Sequence, residues 1–232
     1  MSFFRDALSV FKKRDLIFLD SYQEVEGVYT FLFKKEDDLN WKAGQYGLFT
    51  ITHKKIKNPT KPFTIASAPH ENVVRITTRI SHHPSDFKQA LLDLTPGMQI
   101  RIAGPVGSFY LKENQPTLLI AGGMGITPFR SILNEIEVEG NRDRKNINLL
   151  YMNSEKTFLF QGEFARKEFV HVEYLDSRDD LHLQIDEFIN IHDNKGKYLV
   201  AGSKSMVDSV STYIKNKNIS KRNIKSDYFY GY

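Results

Sequence analysis

Apolar and polar residues alternate along the first half of the chain. Residues 16–22, 28–33 and 46–51 are short β-branched and aromatic runs, parted by turns that carry Glu, Asp, Asn or Gly, and such runs read as half-buried strands. Further runs follow at 63–66, 73–80 and 98–102. Only residues 86–94 interrupt them, with Phe87, Ala90, Leu91 and Leu94 at helical spacing. About six strands with one inserted helix predict a small closed antiparallel barrel.

From Pro116 the period changes. Apolar runs at 118–121, 147–152, 170–175 and 198–201 alternate with amphipathic stretches at 128–138, 181–191 and 205–215. Strands that alternate with helices predict a doubly wound parallel sheet. The join falls in the polar stretch Lys112-Glu113-Asn114-Gln115-Pro116. The expected organisation is therefore a β-barrel domain over residues 1–112, with an N-terminal extension, followed by an α/β domain over residues 113–232.

Composition narrows the chemistry. None of the 232 residues is cysteine, which excludes disulfides, cysteine-ligated zinc, a cysteine nucleophile and a cysteine-bound iron–sulfur cluster. Electron transfer here would need an organic cofactor. The net charge of +4 is modest and the lysines are scattered among acids, so nothing prompts nucleic-acid binding. No apolar run approaches the ~20 residues of a membrane span, and residues 1–8 lack the apolar core of a signal peptide. The expected location is the cytoplasm.

Two stretches carry candidate chemistry. In the first half, Lys61-Pro62-Phe63-Thr64 places a cation, an aromatic and a hydroxyl on one presumed strand. Such a set can neutralise a diphosphate, pack along a flavin and hydrogen-bond its edge; it also fits an ordinary barrel strand with Phe63 in the core. In the second half, Gly122-Gly123-Met124-Gly125-Ile126-Thr127-Pro128 lies between a buried strand and a helix. Glycines let a ligand approach the backbone, and a helix N-terminus favours an anion. The same glycines could serve turn geometry alone. His82-His83 has no partners at metal-ligand spacing, and no metal is expected.

Together with Gly104-Pro105-Val106-Gly107-Ser108-Phe109, expected to close the first half with a rigid glycine-proline turn, Ala201-Gly202-Ser203-Lys204-Ser205-Met206 and the ending Asp227-Tyr228-Phe229-Tyr230-Gly231-Tyr232, these stretches occur in an order that resembles the ferredoxin-NADP(+) reductase family. The likeness is in particular to its compact bacterial flavin-dependent NAD(P)H oxidoreductases. The resemblance spans nearly the whole chain. It implies FAD held by Lys61, Pro62, Phe63 and Thr64, with Lys61 where relatives have arginine. Ser85 and Lys88 fall at the family's diphosphate helix, and Arg79, Ile80 and Ser81 would complete that site.

The resemblance further makes Gly122, Gly123, Gly125 and Thr127 the nicotinamide dinucleotide's pyrophosphate turn, with Gly202 and Met206 beside it. Asn153, Ser154 and Lys156 would meet the adenosine end, where a hydroxyl and a cation suit the 2′-phosphate and make NADPH the expected coenzyme, while Glu155 would suit NADH. Thr64, Thr127 and Tyr232 are the implied catalytic set, Tyr232 stacking on the flavin until nicotinamide displaces it. Ala201 stands where relatives have cysteine.

The implied activity takes hydride from NAD(P)H onto FAD and passes electrons to ferredoxin, flavodoxin, a haem protein or a ferric chelate. Two alternatives stay open. One is a non-catalytic flavin-binding subunit. The other is a reductase module docked to a membrane partner through the stripe Phe3-Phe4, Ala7-Leu8 and Phe11 ahead of Lys12-Lys13-Arg14, although so short a stripe more often packs on its own domain.

Overall fold

A computed structural model describes residues 12–111, 115–138 and 146–229. The N-terminal stripe and Tyr232 lie outside the described residues. The chain divides into two compact units. One holds the residues up to Tyr110 together with Arg130–Glu135, and the other holds Leu111–Phe129 with Ile136–Tyr232.

The first unit is built on β1 (Lys13–Val25), β2 (Val28–Lys34), β3 (Tyr46–Ile51), β4 (Thr60–Thr64), β5 (Val73–Arg79) and β6 (Gln99–Val106), with helix α1 (Asp86–Leu92) between β5 and β6. The strands form one antiparallel six-stranded sheet in the order β4-β3-β6-β1-β2-β5. Ala66 N–H donates to Arg75 C=O at 2.8 Å, so the segment after β4 reaches β5 at the far end of that order, as in a barrel. Alternate residues point inward: Leu16, Phe31, Phe33, Phe49, Ile76 and Ile102 are fully buried. Phe87, Ala90 and Leu91 of α1 join the same core.

One expectation is corrected here. Gly104-Pro105-Val106 belongs to β6 and not to a closing turn. The register against β3 shifts between Tyr46 and Leu48, and Gly104 takes φ +113°. A bulge of this kind lets glycine and proline sit within a strand.

The second unit contains β7 (Thr117–Gly122), β8 (Ile147–Met152), β9 (Val170–Leu175), β10 (Lys197–Ser203) and β11 (Ile224–Phe229). They form a five-stranded parallel sheet in the order β11-β10-β7-β8-β9. Helices α2 (Thr127–Val138, whose residues 130–135 group with the first unit), α3 (Gln161–Phe164), α4 (Arg178–His192) and α5 (Lys204–Asn216) alternate with these strands along the chain. Ser177 caps α4 by accepting from Asp180 N–H, and Ser203 caps α5 by accepting from Met206 N–H; each cap satisfies a donor that the helix cannot. Leu118, Ile120, Leu150, Tyr198 and Val200 pack with Leu181, Ile185, Phe188, Val207 and Val210 of α4 and α5. Leu119, Leu149 and Leu199 on the opposite face are also buried, as expected of strands covered on both sides.

Candidate functional site

In the first unit the structure brings together some of the expected residues. Phe63 packs against the barrel rings, 5.5 Å from Phe87 and 6.0 Å from Phe49 between centroids. It is half-buried, so only its remaining face is available to a ligand. Lys61 and Pro62 are exposed on β4, and Thr64 is buried at its end. Arg79 ends β5, Ile80 N–H donates to Gly27 C=O, and Ser81 Oγ donates to His83 C=O.

Lys88 is not on an open solvent face. It is half-buried in the first turn of α1, just after Ser85, whose hydroxyl accepts from the Lys88 N–H at 3.4 Å. Burial and then the charge of Arg79 push its ammonium below the ordinary lysine range. Two cations held close enough to perturb one another would suit a diphosphate.

The glycine turn of the second unit separates into two roles. A Cβ on Gly125 would lie 2.1 Å from Ala201 C=O, and one on Gly122 would lie 2.2 Å from Met206 Sδ. Gly202 also makes room for Met206, whose sulfur would be 2.9 Å from a Cβ there. These three glycines serve close packing. Gly123 differs, with φ +52° and nothing within 4 Å of the Cβ it lacks. It opens the 3₁₀ turn Gly123–Ile126 at the carboxyl end of β7, where open α/β sheets bind ligands. Thr127 is buried, and its hydroxyl donates to Met124 C=O at 3.1 Å. Its side chain therefore holds the turn together.

The loop after β8 is shaped by Asn153. Its Oδ1 accepts from Glu155 N–H at 3.1 Å, and its Nδ2 donates to Thr157 C=O at 2.5 Å. The loop presents Ser154 and Lys156 to solvent, with Lys156 at φ +55°. Lys156 Nζ lies 2.5 Å from Asp176, the residue after β9.

Sequence reasoning missed two groups. The first is Asp227 on β11, a strand absent from the sequence reading. It pairs in register with Ala201, which pairs with Ala121, which pairs with Tyr151, so the four share one level of the sheet. Burial pushes the Asp227 carboxyl up to about 6, against a hydrogen bond from the Tyr228 backbone. An acid near the chain's end ahead of an aromatic run was the available signal. The second is Arg130, whose guanidinium meets Glu71, also in the first unit. Nothing local marks that long-range pair. Among the described residues no group of His, Cys, Asp and Glu could hold a metal ion. No described helix is long and apolar enough to cross a membrane.

Comparison with known proteins adds to this geometry. Residues 119–212 match the family model described as an oxidoreductase NAD-binding domain. The chain is 26% identical over 206 residues to terephthalate 1,2-dioxygenase reductase component 1 of a Comamonas species, covering 82% of this chain and 59% of that protein. It is 30% identical over 174 residues to the NAD(P)H-flavin reductase of Vibrio harveyi, covering 71% of this chain and 63% of that one. In fold it is similar to ferredoxin-NADP+ reductase of Plasmodium falciparum, with a TM-score of 0.78, 18% identity, and coverage of 95% of this chain and 97% of that one. The chain shares the fold of ferredoxin-NADP+ reductase, and its residues 119–212 match an oxidoreductase NAD-binding domain.

The six-stranded antiparallel sheet ahead of a five-stranded parallel sheet is the fold the chain shares with that reductase. The matched domain and the similarity to an NAD(P)H-flavin reductase point to FAD and NAD(P)H, and the residues fit both groups. Lys88 lies within electrostatic reach of Arg79, a pair of charges that would suit a flavin's diphosphate, and nothing lies within 4 Å of the Cβ that Gly123 lacks, which would leave space for a dinucleotide's pyrophosphate. The chain spans about three fifths of the length of the two curated relatives named above, 59% and 63%.

Proposed function

We propose that the chain is a flavin-dependent oxidoreductase that takes hydride from NAD(P)H onto FAD and passes the electrons to a separate acceptor. The observation that carries this reading is Gly123, left-handed and open at the carboxyl end of the central strand β7, inside the region matched to an oxidoreductase NAD-binding domain. Bound flavin would supply the two-electron to one-electron conversion. Residues 1–112 are assigned to FAD and residues 113–232 to the nicotinamide dinucleotide.

The chain's own groups divide the work. Lys88 and Arg79 neutralise the flavin's diphosphate, with Lys61 contributing from the exposed face of β4. The free face of Phe63 meets the flavin, and Thr64 lies at the end of the same strand. Gly123 admits the pyrophosphate, while Gly122, Gly125, Gly202 and Met206 hold the turn in shape. Tyr232, the third residue of the proposed catalytic set with Thr64 and Thr127, is assigned to shielding the flavin.

The acceptor is proposed by class. The similarity to a reductase component of a dioxygenase system favours a protein acceptor such as a ferredoxin, flavodoxin or haem protein, with a ferric chelate as a small-molecule substitute. A cytoplasmic location fits that role. The test is to add FAD to flavin-depleted protein and measure binding by quenching of flavin fluorescence. Binding with loss of fluorescence supports the reading, and protein that never retains flavin contradicts it.

A further inference from the structure

The loop after β8 and the residue after β9 lie at the carboxyl edge of the sheet that carries Gly123, joined by a hydrogen bond from Asn153 N–H to Leu175 C=O at 2.9 Å. A dinucleotide whose pyrophosphate meets the β7 turn extends along this edge. Here an acid suits the free 2′-hydroxyl of the adenosine ribose, and a cation suits a 2′-phosphate. This chain has both, and they are paired. Lys156 reaches Asp176 at 2.5 Å across the gap between the two loops.

We propose that Asp176 is a specificity-determining residue, which holds the Lys156 ammonium and thereby weakens the grip of this edge on a 2′-phosphate. The inference rests on the proposed dinucleotide site. A phosphate dianion arriving at Lys156 has to share the cation with a carboxylate or displace it, and its charge is repelled by Asp176 in either case. A 2′-hydroxyl meets no such conflict and can donate to the same carboxylate. Glu155, on the same loop, adds a second acid nearby. The pair is exposed, 74% at Lys156 and 40% at Asp176, so its effect is a graded bias and not a block.

The loop is held for this task. Asn153 ties down both Glu155 N–H and Thr157 C=O, and Lys156 N–H donates back to Asn153 C=O at 3.0 Å. Lys156 therefore projects from a closed turn, which fixes where its side chain leaves the backbone.

The test is calorimetric titration of the full chain with 5′-AMP and with 2′-phospho-AMP, in the parent protein, Asp176→Asn, Lys156→Gln and the double variant. Asp176→Asn is expected to raise affinity for 2′-phospho-AMP at least about threefold relative to 5′-AMP. The double variant is expected to lose that gain. If both nucleotides bind and Asp176→Asn leaves their ratio unchanged, or the gain survives in the double variant, the role of Asp176 is overturned while the dinucleotide site stands. If no variant binds either nucleotide, the dinucleotide site itself is overturned.

Discussion

Arg130 grips Glu71 with both arms of its guanidinium, Nη2 to Oε1 at 2.9 Å and Nη1 to Oε2 at 3.0 Å. The Arg130 side chain is only 3% exposed and that of Glu71 17%, so water cannot replace either partner. Arg130 also donates to Ala66 C=O at 2.9 Å, and Glu71 accepts from Ala68 N–H and from Asn134 Nδ2. The pair thus fixes the segment that continues β4, beyond Thr64. Removing one partner leaves a buried charge, so Arg130→Met or Glu71→Gln is expected to cost about 3 kcal/mol. Urea unfolding measures it.

The same pair carries a pH dependence. Burial pushes the Glu71 carboxyl up, but the hydrogen bonds and charge of Arg130 outweigh burial and hold it below the usual carboxylate range. A lowered folded pKa means that this stability is present above the ordinary value of 4.5 and is lost as pH falls through the folded value. Acid melts of the parent should be steeper than those of Glu71→Gln.

Asp227 should act in the opposite sense. Its folded value of about 6 exceeds the ordinary 3.8, so the folded protein binds more protons between those values, and stability falls as pH rises through that window. Above it the penalty is constant. Asp227→Asn should remove the slope and be more stable at neutral pH by about 3 kcal/mol, read from thermal melts across pH.

The glycines of the turn should separate under substitution. Gly125→Ala drives a Cβ into Ala201 C=O, and backbone that cannot yield should make this variant lose several kcal/mol or fail to fold. Gly123→Ala meets open space and costs only about 1 kcal/mol for its left-handed backbone. It should fold, yet bind NAD(P)H far more weakly, which a titration of the folded variant will show.

Lys88→Met should lower FAD affinity by about tenfold or more, the worth of a charge-assisted hydrogen bond. Riboflavin, which has no diphosphate, should bind parent and variant equally. Equal losses for both ligands would mean that Lys88 acts through packing.

Much of this fold was legible because its signals are local. Alternation marked the barrel strands, and the change of period after Pro116 marked the parallel sheet. Strand β11 escaped because Lys225, Ser226 and Asp227 interrupt its apolar pattern on an edge strand. Phe63 and Thr127 were legible as residues of interest but not in their contacts: the ring packs on Phe87 and Phe49, and the hydroxyl closes a turn. Glu71 with Arg130, and Lys156 with Asp176, are pairs that only the folded chain brings together. One sequence contains no period that would announce them.

The central claim is tested most directly by adding NADH or NADPH, without oxygen, to the FAD-loaded protein and following the yellow flavin absorbance. The account predicts bleaching by at least one of the two, with colour restored on adding ferricyanide. Flavin that stays bound and fully yellow under excess of both coenzymes would contradict it.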